Sequence, residues 1–184
     1  IVSLIRSAWA GSQKYGSLVW SGDIDSSFRS FRYQYQIGLN IGMAGIPWWT
    51  CDIGGFHGGS KDDPDFKELL IRWFEFSTFS PIMRMHGDRE PHEMPVSTMG
   101  GGKEGSGAGN EIWSFGNDVY KILKKYVDLR KKLKPYLDKC MNEAHTKGYP
   151  VMRSLFFNFP DDPTAWHISN EHMLGDKYLI APVF

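Results

Sequence analysis

The sequence is short of cysteine, of net charge and of long apolar runs. Its two cysteines, Cys51 and Cys140, are too few for a disulfide framework and fit no CxxC or zinc spacing. Reduced thiols, and with them a cytoplasmic setting, are the expectation. Twenty-one basic and 21 acidic residues cancel, so there is no broad positive field to gather nucleic acid or anionic lipid. No stretch approaches the ~20 apolar residues that span a bilayer. Initiating methionine is missing too: the chain starts at Ile1, so the natural N-terminus is expected upstream, and a leader peptide could have been lost with it. What the chain does have is 41% hydrophobic and 15% aromatic residues in 184, enough to bury a real core.

Apolar periodicity divides the chain into alternating elements. IVSLIRSAW reads as a buried strand ending near Arg6, and SLVWSG as a second one ending at Asp23. A helix follows, capped by Asp25 or Ser26, with Phe28, Phe31, Tyr35 and Leu39 three to four residues apart. Residues 41–51 form a third strand candidate, interrupted by Gly45 and Pro47. Asp63 and Pro64 open a helix whose stripe is Phe66, Leu69, Leu70, Trp73 and Phe74. FSPIMRMHG is a fourth strand or extended segment that delivers Arg84 and His86. The Gly-, Pro- and Ser-rich stretch over 91–111 reads as a long surface loop; it lacks the GxxxxGK[ST] order of a phosphate cradle. Residues 117–146 carry the longest helical pattern, expected to kink at Pro135 and to stop at Gly148. The tail changes to strand-like runs, YPVMRSLFFNF and DKYLIAPVF, separated by a turn at DDP.

Two of these strands end alike. VWSGDI and WWTCDIGGF each put a carboxylate, Asp23 or Asp52, directly after an apolar or aromatic run. Burying an unpaired carboxylate costs several kcal/mol, so a chain that does this twice has a use for the groups. Arg6 and His86 occupy the corresponding ends of the first and fourth strands. In a (β/α)8 barrel the active groups sit at such C-terminal ends, and about four βα units are present, half of the eight. Four polar groups from four strands can then share one pocket.

Taken in order, RSAWAGSQKYG, WSGDI, GIPWWTCDIGGF, ELLIRWFEFSTFSPIMRMHG and MLGDKYLIAPV resemble glycoside hydrolase family 31, the retaining α-glucosidases and α-xylosidases, over nearly the whole chain. The resemblance implies an α/β fold: the C-terminal half of a (β/α)8 TIM barrel over 1–148, then the beginning of a β-sandwich domain over 149–184. It implies Asp23 as general acid/base, Arg6, Asp52 and His86 as residues that hold the sugar, and Trp20, Trp49 and Phe56 as aromatic or apolar pocket walls. Of the adjacent Trp48 and Trp49, Trp49 is expected to face the pocket. The expected partner is an oligosaccharide or α-glycoside, and PWWT before DIGGF leans towards the α-xylosidase branch. Acid–base chemistry of this kind requires no cofactor. A protonated acid near neutral pH is favoured by apolar surroundings, here Val19 and Trp20.

One family feature is missing. Retaining hydrolysis requires a second carboxylate as nucleophile, about 5–5.5 Å from the acid. In the family it lies on an earlier strand in a W-x-D pattern, and no W-x-D occurs in this sequence. The chain is therefore expected to be a fragment that is inactive alone and prone to self-association through open strand edges; a non-catalytic carbohydrate-binding or scaffold module is the alternative. Plainer roles also exist for each residue: a helix cap for Asp23, a turn aspartate for Asp52, a structural ion pair for Arg6. His86, Asp88 and His92 match no zinc spacing, so no metal is expected.

Overall fold

A computed structural model describes residues 2–184; Ile1, first residue of the expected first strand, lies outside the described residues. β1 (Leu4–Ile5), β2 (Leu18–Trp20) and β3 (Trp49–Thr50) form a parallel sheet in that order. The register sets Ile5 beside Val19, Val19 beside Trp49 and Trp20 beside Thr50. Because side chains alternate across a strand, Val19 and Trp49 share one face and Trp20 and Thr50 the other. The Val19–Trp49 face is covered by α1 (Phe28–Met43) and α2 (Pro64–Ser77). There Phe31, Tyr35, Trp73 and Phe76 are buried with Val19 and Trp49 in the main core, and the Phe31 and Trp73 rings stack at 4.8 Å.

Several sequence expectations change in detail. Ser27, rather than Asp25 or Ser26, caps α1: its hydroxyl accepts the Ser30 N–H at 3.1 Å. The strand expected over 41–51 shrinks to Trp49–Thr50, because Ile41 and Met43 still belong to α1 and Gly45, with φ +82°, makes the turn out of it. Asp63 and Pro64 do open α2, with the Asp63 carboxylate accepting the Asp65 N–H. Residues 82–86 run extended beside β3 without a ladder, tied by Thr50 Oγ1–H to the Ile82 carbonyl at 3.2 Å and Ile53 N–H to the Arg84 carbonyl at 3.2 Å. The expected loop over 91–111 contains a hairpin: β5 (Asp88–Glu93) pairs antiparallel with β6 (Ser106–Ala108) and, on its other edge, parallel with β4 (His57–Ser60). Gly-, Pro- and Ser-rich composition hid these strands, since their tip is largely exposed and has no apolar alternation to read.

α3 (Asn117–Lys147) runs through Pro135 as a single helix and ends at Gly148, φ +72°. Its buried Leu133, Leu137, Cys140 and Ala144 pack with Val151 and Leu174 into a second core. That core joins α3 to an antiparallel sheet of β7 (Met152–Ser154), β8 (His172–Leu174) and β9 (Tyr178–Ile180). The run expected as strand over 149–159 bends at Ser154 into the short α4 (Leu155–Asn158). At the DDP turn, the Asp162 carboxylate accepts the Thr164 N–H at 2.8 Å.

Candidate active site

β1 ends at Ile5, so Arg6 is the first residue beyond it. Asp23 follows β2 by three residues, across Gly22, whose φ is +84° and where an added Cβ would lie 2.9 Å from Arg6 Nη2. Glycine at 22 thus lets the arginine approach, and Arg6 Nη2 donates to Asp23 Oδ2 at 3.2 Å. The side chains are 62% and 35% exposed. An exposed pair of this kind contributes at most about 1 kcal/mol to stability, so the structural role weighed for Arg6 is a small one, and both groups stay reachable by a ligand. The surroundings differ from the expected apolar sleeve: Val19 points into the helix layer and Asp23 faces solvent beside a cation.

Asp52 is the reverse case. Its side chain is fully buried, and Arg84 Nη1 donates to its Oδ1. Burial raises the Asp52 pKa, an effect opposed first by Arg84 and then by His86. Oδ2 lacks a hydrogen-bond partner, and so does the buried Trp20 indole N–H. That N–H is close enough to favour the charged carboxylate without a bond of ordinary length. Trp20 is the hub of the group: the Arg6 guanidinium lies 5.1 Å from its ring centroid and the Arg84 guanidinium 5.5 Å, both in cation–π range. His86 is exposed and its imidazole lies 5.4 Å from the Phe56 ring. The structure thus strings Asp23, Arg6, Trp20, Arg84 and Asp52 along neighbouring strand ends, with His86 and Phe56 alongside.

Trp49 does not join them. It is 2% exposed and lies against α1 at Gly38, where an added Cβ would meet its ring at 2.7 Å. Strand register explains the correction: Trp49 pairs with Val19, a residue of the helix-covered face. Trp48, its neighbour, is the half-buried one.

The residue that sequence reasoning left out of the site is Arg84. The signal was available, since a buried carboxylate demands a cation and the RMH run that delivers His86 carries one. Behind the site, fully buried Arg89 donates to the carbonyls of Ile53 (3.1 Å), Gly55 (2.8 Å) and Gly58 (2.9 Å), to Ser26 Oγ (3.2 Å) and to Asn110 Oδ1 (2.8 Å). Desolvation pushes its pKa down to about 10, so it stays charged at neutral pH. It fixes the turn of Gly54 and Gly55, φ +85° and +82°, that follows Asp52. Cys51, adjacent to Asp52, accepts the Trp73 indole N–H at 3.3 Å; burial pushes its thiol up to about 12, which makes it an inert packing group.

Among the described residues no three His, Cys, Asp or Glu side chains gather as a metal site, and no helix is long and apolar enough to cross a membrane. A cavity of about 530 Å³ lies elsewhere, between the N-termini of α1 and α2.

A parallel sheet with helices on one face and a carboxylate, guanidinium groups and an indole at its C-terminal ends has the architecture of the (β/α)-barrel enzymes, with donors, acceptors and a ring face suited to sugar hydroxyls and C–H surfaces. The chain belongs to glycosyl hydrolase family 31: residues 1–139 match the TIM-barrel domain of that family and residues 148–184 its C-terminal domain. An α-xylosidase from a soil metagenome, solved with xylose, superposes with a TM-score of 0.95 at 55% identity, over 100% of this chain and 27% of that one. In Saccharolobus solfataricus, an α-xylosidase is 36% identical over 100% of this chain and 23% of its own, and an α-glucosidase 33% identical over 100% and 24%. The chain thus spans about a quarter of the length of these relatives.

Proposed function

We propose that the protein is a retaining, exo-acting α-glycosidase in which these residues form the C-terminal half of the barrel and the start of the following β-sandwich. Asp23 protonates the leaving glycosidic oxygen and later takes a proton from the attacking water. The observation that carries this reading is the continuous run of Asp23, Arg6, Trp20, Arg84 and Asp52 along adjacent strand ends. Asp23 is the reachable carboxylate of the run. Asp52, buried and held by Arg84, is unsuited to attack an anomeric carbon, so the nucleophile comes from outside these residues, in keeping with the missing W-x-D.

The sugar preference leans towards xylose. The lean rests on the PWWT sequence and on the 55% identity to an enzyme that is itself named an α-xylosidase and was solved with xylose.

The test is turnover of p-nitrophenyl α-xyloside and α-glucoside by the full-length protein and its Asp23→Asn variant. Wild-type turnover, faster on the xyloside, and a loss of about 100-fold or more in the variant are expected, the scale of a lost general acid. Undiminished turnover by Asp23→Asn would remove Asp23 from its role. The 184-residue chain alone should show no turnover.

A further inference from the structure

We propose that Arg84, rather than Asp52, is the group that hydrogen-bonds the sugar in this part of the site, and that Asp52 is a positioning residue acting through it. The inference deepens the glycosidase reading and rests on it. Its basis is a difference in exposure within one ion pair: the Asp52 side chain is 0% exposed and the Arg84 side chain 24%. A carboxylate with no exposed surface cannot accept a hydroxyl from a ligand while Arg84 stays in place. The guanidinium has five N–H donors in a rigid fork. One nitrogen is committed to Asp52 Oδ1, and the side chain still keeps exposed surface.

The position is held from three sides. The Asp52 charge draws Arg84 in, the Trp20 ring lies 5.5 Å from the guanidinium carbon, and the Ile53 N–H anchors the Arg84 carbonyl at 3.2 Å. Arg89 fixes the turn after Asp52 through the Ile53 and Gly55 carbonyls. A long side chain held in this way loses little freedom when a sugar hydroxyl arrives. Arg6 also stands 5.1 Å from the Trp20 ring, so two guanidinium groups gather at one indole and can grip different hydroxyls of one sugar ring.

The test is a double-mutant cycle in the full-length protein, with Arg84→Lys, Asp52→Asn and the two combined. It is read both as KM and kcat on p-nitrophenyl α-xyloside and as calorimetric binding of xylose and glucose. Arg84→Lys keeps the charge and loses the fork; it should weaken monosaccharide binding about 10- to 100-fold, the range for a charge-assisted hydrogen bond. The double variant should be no weaker than Arg84→Lys alone, because Asp52 acts through the residue already changed. Effects that multiply, as two independent sugar contacts would give, overturn the proposal, and so does unchanged binding in Arg84→Lys. Asp52→Asn risks misfolding, so Arg84→Ala with added guanidinium provides a second readout. Partial recovery of xylose or glucose affinity is expected, and full affinity without guanidinium again overturns the idea. Binding needs no turnover, so the Arg84 result stands apart from failure of the glycosidase reading, which would show as inactive wild type with intact sugar binding.

Discussion

Two buried polar residues of this chain show opposite solutions to the same cost. Asp52 is met by a cation, Arg84, whereas His172 gives its charge up. His172 is fully buried, its ring 5.4 Å from Tyr35 and 6.3 Å from Phe76, with neither nitrogen hydrogen-bonded. Desolvation pushes its pKa down to about 3 from the ordinary 6.5. Below pH 6.5 the unfolded chain therefore binds a proton that the folded one refuses. The stability due to a neutral His172 is present above pH 6.5 and is lost progressively as the pH falls towards 3, at up to about 1.4 kcal/mol per pH unit. His172→Phe should remove that increment. Denaturant titrations between pH 7 and 4 would show the wild-type curve falling more steeply than that of the variant, and parallel curves would refute the assignment.

Among the elements, the extended segment over 82–86 carries Arg84 and His86 without a ladder of its own, so it depends on anchors. Besides Thr50 and Ile53, one is Arg130, on α3. Its guanidinium donates to the carbonyls of Thr78 (2.8 Å), Ser80 (2.5 Å) and Pro81 (2.8 Å), which lie between the end of α2 and the site segment. Burial pushes its pKa down to about 10, leaving it charged at neutral pH. Arg130→Met keeps the apolar stem but leaves three carbonyls unpaired, and should cost about 3 kcal/mol. The loss should appear as a lower denaturation midpoint, with faster amide exchange in 78–86 than in α1. Uniform exchange across both regions would show that Arg130 merely supports the global fold. The short β1, β2 and β3 have the same dependence. Two or three residues make weak strands, and they persist because α1 and α2 bury Val19 and Trp49 against Phe31 and Trp73.

The whole chain presents an exposed sheet edge with apolar residues beside it. β1 has one unpaired edge, and Val2, Leu4 and Trp9 beside it are 57%, 43% and 76% exposed. Unprotected edges of this kind pair with other chains, so sedimentation velocity of the 184-residue chain should show concentration-dependent dimers or larger species. A compact monomer at all concentrations would refute this. Local chemistry made much of the molecule legible: Asp63–Pro64 opened α2, Gly148 closed α3, and the strand ends at Arg6, Asp23 and Asp52 could be read from apolar runs stopping at polar groups. Those are properties of neighbours in sequence, and the sequence by itself determined them. It could not fix which way Trp49 points, because a strand's two faces are distinguished only by what packs on each, and α1 took that face at Gly38. The RMH run offered a cation, but the sequence could not show that Arg84, rather than another, pairs with Asp52, nor that Arg89 binds the carbonyls after it. Those contacts join residues 31 to 36 apart, and only the folded chain brings Arg84 to buried Asp52, whose desolvation it offsets.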